Sequence, residues 1–398
     1  MSDLKVFAKT VEQEALDQVG LLLAQPAFSN CKVRIMPDVH AGKGCVIGFT
    51  ADLGDKVIPN IVGVDIGCGV RVVELGNTSV DFGQLDTIIR DKVPFGRSVH
   101  EGRVIKFGQI EDLRCFRELK DSPRLHRSIG TLGGGNHYIE VDVDENGVLY
   151  LNIHTGSRNL GKQVADYYQK LACDVMHGFD SIIEKQNAMI AEYKATGRKS
   201  ELQGAIAELR KQYRPATIDT PNDLCYLTGS LRDDYLHDMQ ICQQFAIVNR
   251  EWISKIVLRG LGIDEDAPYF ESVHNYIDLD TNIVRKGAID ASIGKKLVIP
   301  INMRDGCIIG VGKGNPDWNN SAPHGAGRLM SRTKAKATLS LVDYENSMSG
   351  IFTTSVGSET LDEAPMVYKP IDEILGAIGE TVDVLAIVKP IYNFKASE

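Results

Sequence analysis

The stretch "GNHYIEVDVDENGVLYLNIHTGSR", Gly135 to Arg158, constrains the fold more than any other part of the chain. Two β-prone runs flank Asn146-Gly147, and Asn-Gly between such runs is the strongest short-range hairpin signal. With those two residues as the turn, His154 stands opposite Ile139. His137, two positions before Ile139, then projects from the same face as His154. The two become diagonal neighbours, roughly 7–8 Å apart at the backbone. Each sits near glycine at a strand end. Taken singly they are ordinary polar strand residues, but as a same-face pair at this separation they can share a metal centre.

The rest of the chain has a matching organisation. Residues 1–160 are glycine-rich and β-branched, and runs such as "KVRIM" and "GVRVVELG" read as strands joined by tight turns. From 160 to 215 the pattern turns helical: "VADYYQKLACDVMHGFDSIIEKQNAMIAEY" and "SELQGAIAELRKQY" flank a break at "ATGRKS". A third helical segment, "LRDDYLHDMQICQQFAIVNREWISKIVLRG", is expected to end at Gly260. Beyond 265 short strands return. No Pro/Ser linker separates the β-rich halves, so the expectation is one compact α+β domain over residues 1–398 with a helical insertion at about 160–260.

Composition excludes several classes. No run of about 18 apolar residues exists to span a bilayer. The start, "MSDLKVFAKTVEQEAL", lacks the apolar core of a signal peptide, which points to a cytoplasmic protein. Eight scattered cysteines without a CxxC pair argue against a disulfide framework or a zinc ribbon. The net charge of −9 counts against a uniformly basic nucleic-acid binder. Local charge differs: "HGAGRLMSRTKAKA" carries Arg328, Arg332, Lys334 and Lys336 with no acid, and "VPFGRSVHEGRVIKFG" carries Arg97, Arg103 and Lys106. These stretches are either solvated faces or a phosphate track on an acidic body.

Several short motifs carry chemistry. In "VDIGCG", Asp65 offers a hard oxygen and Cys68 a soft thiolate on a permissive glycine backbone. With imidazoles this donor set suits zinc, manganese or iron, and a thiolate can bridge two ions. Alone, a DxxC pattern is a weak signal and reads as a buried cysteine in a turn. "MPDVHAGKG" places His40 and Lys43 in a glycine-rich turn able to cradle phosphate, though its spacing is not that of a Walker motif. "GTLGGGNH" brings three glycines before Asn136 and His137. "HTGSRNLG" opens a helix after a strand and puts Ser157 and Arg158 where anions bind. "SAPHGAGR" sets His324 four positions before Arg328; such a histidine can attack phosphorus while the arginine holds the phosphate. His274 in "FESVHNYIDLD", read alone, is a core histidine.

In this order, "MPDVHAGKG", "GVDIGCG", "GTLGGGNHYIE", "HTGSRNLG", "HNY" and "HGAGR" closely resemble the RtcB family of RNA ligases, over essentially the whole chain. The helical "DDYLHDMQICQQFAIVNR" is also similar to that family. The resemblance implies mixed and antiparallel sheets around a central metal cleft. It implies GTP and two Mn²⁺ ions per subunit. The reaction it implies joins RNA 3′-phosphate or 2′,3′-cyclic phosphate ends to 5′-hydroxyl ends through a histidine–GMP intermediate, in RNA repair or tRNA splicing. It implies an archease-type activator as partner. Carried over by motif, His324 is the nucleophile. One ion belongs to Cys68, His154 and His274, and the other to Asp65, Cys68 and His137. Asn136, Asn275, Asn302, Gly325, Ala326 and Gly327 would contact the nucleotide, with Glu140 and Lys395 reading the guanine. His40, Lys43, Arg158 and Arg328 would face the RNA.

Two features sit less simply. The Asn-Gly register points Glu140 to the face opposite His137. The chain also departs from the family's usual "PGSMG", having "PINMRDG" at Pro300 to Gly306, and extends three residues past Lys395, so it reads as a divergent paralogue. The competing readings are a metal-dependent phosphatase or phosphodiesterase, which needs no covalent nucleotide, and an enzyme that caps or seals other nucleic-acid ends.

Overall fold

The computed structural model describes residues 2–198, 201–212 and 215–396. The β-branched runs pair into a large antiparallel sheet. Its order is Lys296–Asn302, Gly306–Gly312, Val382–Lys395, Tyr138–Val143, Leu149–Thr155, Gly69–Gly76 and Tyr269–Val273, with Phe352–Thr353 running parallel beside Val382–Lys395. A second, mixed sheet is built from Asp3–Val6, Lys32–His40, Ile47–Asp52, Ile283–Lys286 and Tyr276–Ile277. Ala288–Asp290 and Ser321–Pro323 form a short ladder of their own. The α+β expectation holds. Among the described residues no helix is long and apolar enough to cross a membrane.

The first hairpin forms, with a different turn. Its ladder pairs Tyr138 with His154, Glu140 with Asn152 and Val143 with Leu149, one residue out of step with a two-residue Asn-Gly loop. The loop is Glu145-Asn146-Gly147. Gly147 N–H donates to Asp144 O at 3.1 Å, Gly147 takes a positive φ of 83°, and Asn146 does not. That is the three-residue alternative, a turn closed by a left-handed glycine. Asp144 Oδ1 favours it by accepting from Asn146 N and Val148 N, both at 2.9 Å. A one-residue slip exchanges the faces of every strand residue. Glu140 therefore shares a face with His154, and the conflict raised by the Asn-Gly register disappears. His137 lies before the first ladder residue and reaches the same place from the loop.

Helices occupy Arg158–Met176, Asp180–Ala195, Leu202–Gln212 and Gly229–Leu261. The last has 33 residues, about 50 Å at 1.5 Å per residue. It runs through Gly260 and ends at Gly262, a left-handed cap with φ 70°; helical packing against Ile88 holds Gly260 in place of the expected stop. Its buried stripe, Tyr235, Met239, Cys242, Ala246, Asn249, Ile253 and Val257, follows helical spacing and packs into the core.

Asn249 of that stripe and its neighbour Arg250 are polar and fully buried. Asn249 Oδ1 accepts from Gly130 N (2.7 Å) and Thr131 N (3.0 Å), while its Nδ2 donates to Thr131 O and Gly156 O, both at 3.1 Å. Arg250 Nη1 donates to Gly67 O (2.9 Å) and Thr155 O (2.8 Å), and Nη2 pairs with Glu271 at 2.8 Å. One turn of helix thus fixes three loops: 65–68, 130–137 and 154–157. Asn249→Ala strands two loop N–H groups and two carbonyls. At about 1–3 kcal/mol per buried unpaired group, relieved in part by relaxation, we expect a loss of about 3 kcal/mol in urea unfolding. A change below about 0.5 kcal/mol, the level of an ordinary surface substitution, would show that the clamp is idle.

Candidate active site

The registers bring the sequence-selected residues to one place. Gly69 stands opposite Thr155 on one side and Val273 on the other, so the residues flanking it, Cys68, His154 and His274, meet at the end of three adjacent strands. His274 N–H donates to Cys68 O at 2.8 Å. Gly67 has a φ of +71°, and a Cβ there would lie 2.8 Å from the Gln243 backbone of the long helix. The glycines of "DIGCG" thus permit a tight turn pressed between helix and sheet.

Cys68 Sγ lies 3.3 Å from His154 Nε2 and 3.6 Å from His137 Nε2. His137 Nε2 is 3.0 Å from Asp65 Oδ2, and His154 Nε2 is 3.4 Å from His274 Nε2. Two groups of donors within 4.8 Å of one another result, Cys68–His154–His274 and Asp65–Cys68–His137, sharing one sulfur. Asn136 O, 3.2 Å from His154 Nδ1, fixes the proton on that nitrogen, while Leu132 O (3.0 Å) and the Arg158 guanidinium (3.1 Å) both approach His137 Nδ1. The His154 Nε2 lone pair is left facing Cys68 and His274.

The electrostatics fit a cation. Burial, helped by the other imidazoles, holds His154 and His274 well below the usual histidine range, so both are neutral. Burial and the Asp65 charge push the Cys68 thiol up. For Asp65, burial alone would raise the carboxyl, but the His137 contact and Arg158 outweigh it and hold it below its ordinary value. Among the described residues Asp65 Oδ1 is buried without a hydrogen-bond partner. Neutral imidazole lone pairs facing each other, an orphaned carboxylate oxygen and a thiol form a donor set that a borderline divalent ion satisfies.

His324 joins the cluster after Ser321–Pro323, its ring centroid 4.7 Å from that of His274. Its Nδ1–H donates to Asp38 Oδ2 at 2.7 Å, and its backbone N–H reaches the same oxygen at 3.1 Å. Asp38 is fully buried. The buried Lys369 donates to the carbonyls on either side of it, Pro37 O at 2.8 Å and Val39 O at 3.3 Å. Asp38 was readable in "MPDVH", two residues before His40 with the period of a strand, but nothing local tied it to position 324.

A cavity of about 560 Å³ opens beside these groups, within the range of small-molecule sites. Its lining includes His40, Asn136, Glu140, His154, Asn302, His324, Gly325, Ala326, Gly327, Arg328 and Lys395. Four candidates behave differently. Lys43 is exposed and outside the lining; the N–H groups of its turn are taken by Glu12 (Ala41 N, 2.7 Å) and Gln18 (Gly42 N, 3.1 Å). Asn275 is also outside the lining, its amide spanning Asp65 O at 3.2 Å and Gly287 N at 2.9 Å. Arg158 reaches the back of the His137 ring, its Nη1 3.1 Å from Nδ1. Asn302 lines the cavity, but its Oδ1 accepts from Arg304 N and Asp305 N and its Nδ2 donates to Asp305, so the turn of "NMRDG" absorbs it.

The basic stretch at 328–336 is neither a bare solvated face nor a free phosphate track. Arg328, Arg332 and Lys336 pair with Asp362 and Glu363, acids supplied some 30 residues later. Glu363 also holds Lys395 Nζ at 2.8 Å and accepts from Tyr368 OH at 2.6 Å. Burial alone would raise Glu363; Lys395, Arg332 and Arg328 outweigh it and hold the carboxyl at about 2. A folded carboxyl titrating below its ordinary 4.5 stabilises the fold above that pH and loses the increment as pH falls toward 2. That is on the order of 3 kcal/mol at 1.36 kcal/mol per unit. Glu363→Gln should lower stability at neutral pH and flatten the acid limb of stability against pH, measured by urea unfolding. An unchanged acid limb would refute the role.

Comparison with known proteins agrees with this geometry. A family model described as tRNA-splicing ligase RtcB matches residues 22–122 and 100–396. The RNA-splicing ligase RtcB of Escherichia coli K12 is 28% identical over 435 aligned positions, covering 98% of this chain and 97% of the relative. The tRNA-splicing ligases RtcB of Aeropyrum pernix and Archaeoglobus fulgidus are each 26% identical, covering 85% and 92% of this chain and 82% and 88% of theirs. With a family match over nearly its whole length and that family's ordered motifs gathered at one cavity, the chain belongs to the RtcB family.

Proposed function

We propose that this protein is an RNA ligase that joins RNA 3′-phosphate or 2′,3′-cyclic phosphate ends to 5′-hydroxyl ends, with GTP as co-substrate and two Mn²⁺ ions. One observation carries the reading: a histidine held by a buried carboxylate lines a nucleotide-sized cavity, its ring 4.7 Å from that of His274 in a shared-thiol donor cluster. A hydrolase that works through metal-bound water alone needs no such held imidazole.

Asp38 does for His324 what a buried acid does for a catalytic imidazole in general. It fixes the proton on Nδ1 and stabilises the cation formed when Nε2 bonds to an electrophile. His324 Nε2 attacks the α-phosphorus, the P–N bond forms, and the bond to pyrophosphate breaks. A 2′,3′-cyclic end first adds water and breaks its P–O2′ bond to give the 3′-phosphate; the RNA 3′-phosphate oxygen then takes the GMP, breaking P–N, and the 5′-hydroxyl displaces GMP as the new phosphodiester forms. Cys68, His154 and His274 would hold one ion and Asp65, Cys68 and His137 the other; the ions would neutralise phosphate charge and orient it. Glu140 accepts from guanine N1–H and N2–H, and Lys395 donates to O6, a pattern that adenine reverses. Gly325, Ala326 and Gly327 pass the backbone close to the phosphates, and Asn136, His40 and Arg328 border them. Exposed Arg97, Arg103 and Lys106 supply RNA-backbone contacts, and an archease-type protein is the activator expected of this family.

Two experiments test the reading. Incubation with α-labelled GTP and manganese should give a protein-bound label that is labile in acid and stable in base, as a P–N bond is. His324→Ala should abolish both label and ligation while still sealing RNA pre-activated with GMP. ATP run alongside should label poorly. A label that survives His324→Ala would sink the nucleophile, and turnover of phosphate esters with no covalent nucleotide would favour the hydrolase reading. Metal analysis should show Cys68→Ala losing both ions and Asp65→Ala mainly one, since a shared sulfur serves two groups; equal losses contradict the bridge.

A further inference from the structure

Behind the cavity lies a second cluster of ionisable groups. Glu140 and Asp142 alternate on Tyr138–Val143 and face the same side of the sheet. Both are buried, 3% and 0% exposed. Their carboxyl oxygens and Cys307 Sγ lie within 4.8 Å of one another. Asn393 Nδ2 donates to Glu140 Oε2 at 2.5 Å, and Asn152 Nδ2 donates to Asp142 Oδ2 at 2.8 Å. Cys307 Sγ is 3.9 Å from Glu140 Oε1. Asp142 Oδ1 has no partner among the described groups. Tyr138 shares the face, and the cation of the neighbourhood, Lys395, is already paired with Glu363.

Two carboxylates this close in a dry site do not both ionise; the pair keeps one proton. Glu140 and Asn393 line the cavity and Asp142 does not. The deeper acid is the one that retains the proton, because ionising it costs more solvation. Consistently, burial and the Glu140 charge push Asp142 well above the usual carboxyl range, while Glu140, also raised by burial but relieved by its neighbours Asp142 and Asn393, reaches about 7.

We propose that Asp142 is a positioning residue of the base-reading pole: it stays protonated, donates to Glu140 Oε1, and keeps the Glu140 carboxylate ionised and turned to the cavity. A carboxylate has about four acceptor sites. Asn393 takes one and Asp142 a second; the Cys307 thiol, a weak donor at 3.9 Å, bears on Oε1 as well, and what remains faces the cavity for the donors on a guanine edge. The inference rests on the assignment of Glu140 to guanine. Its pH consequence has a definite sign. As pH falls through about 7, a second proton enters the pair on Glu140, and guanine affinity falls.

The test is GTP binding by calorimetry in a pH series centred on about 7. Asp142→Leu removes the donor. It should weaken GTP on the order of tenfold to a hundredfold near neutrality, the value of a hydrogen bond to a charged group, and recover as pH rises. Asp142→Asn supplies an amide donor in place of the hydroxyl and should rescue both affinity and midpoint. A midpoint moved to the acid side in Asp142→Asn means that Asp142 was ionised, and unchanged binding in Asp142→Leu means that it positions nothing; either overturns the proposal. An ion that remains bound in Cys68→Ala and is lost in Cys307→Ser overturns it too, because a cation then replaces the proton. A nucleotide-free measurement separates the two layers. The infrared carbonyl band of a protonated carboxylic acid should persist well above the Glu140 midpoint, at a pH of about 9, and vanish there in Asp142→Asn. If that band behaves so while Glu140→Gln leaves the preference for GTP over ATP intact, the guanine assignment fails and the shared proton stands.

Discussion

The site depends on hydrogen bonds from two consecutive residues of one helix. Asn249 and Arg250 satisfy backbone groups of the loops that present Asp65–Cys68, His137 and His154. Loops carry backbone polar groups that cannot be buried unpaired. A buried site made of loop ends therefore needs an internal source of donors and acceptors. An amide supplies both kinds, and a guanidinium supplies several donors in fixed geometry. The apolar stripe that buries the helix also delivers these two side chains to the loops, so packing and site assembly are one event.

The charge arrangement follows from the same burial. Imidazoles far below their usual range are neutral and keep their lone pairs, so the pocket is prepared for an electrophile without carrying a large unpaired positive charge. A few ångströms away the opposite device operates. Glu363 is fully ionised because three cations surround it, and it fixes Lys395 and Arg328 at the cavity wall. One cavity thus has a wall that accepts a cation and a wall already neutralised by paired charge.

Legibility in the sequence tracked distance along the chain. The strands "KVRIM" and "GVRVVELG", the helices from 158 to 261 and the hairpin at 138–155 are written in local periodicity, and they emerged close to expectation. The hairpin turn did not, because Asp144 captures two backbone N–H groups and selects a three-residue loop over the Asn-Gly one. The histidine pairing survived that slip only because His137 lies outside the ladder. The cluster residues were legible as motifs because glycine marks each of their loops. Asp38, Glu363 and Asp142 were not: each acts on a partner brought near by sheet order or chain return, and a lone acid in a strand or loop looks the same whether it holds an imidazole, a lysine or a proton. Lys43 and Asn275 illustrate the reverse, residue types suited to phosphate whose surroundings are already spoken for by the protein's own groups, side chains around Lys43 and backbone around Asn275.

The shared sulfur has a further chemical implication. Because Cys68 belongs to both donor groups, oxidation of one atom to a sulfinic or sulfonic acid would disable both together, with no half-competent state between. Among eight cysteines this is the one where such a lesion is most costly, and it is only 2% exposed, sealed beneath the long helix and three strand ends. Its thiol, raised by burial, is also a poor nucleophile toward peroxides. The packing that assembles the cluster therefore doubles as its protection against oxidants.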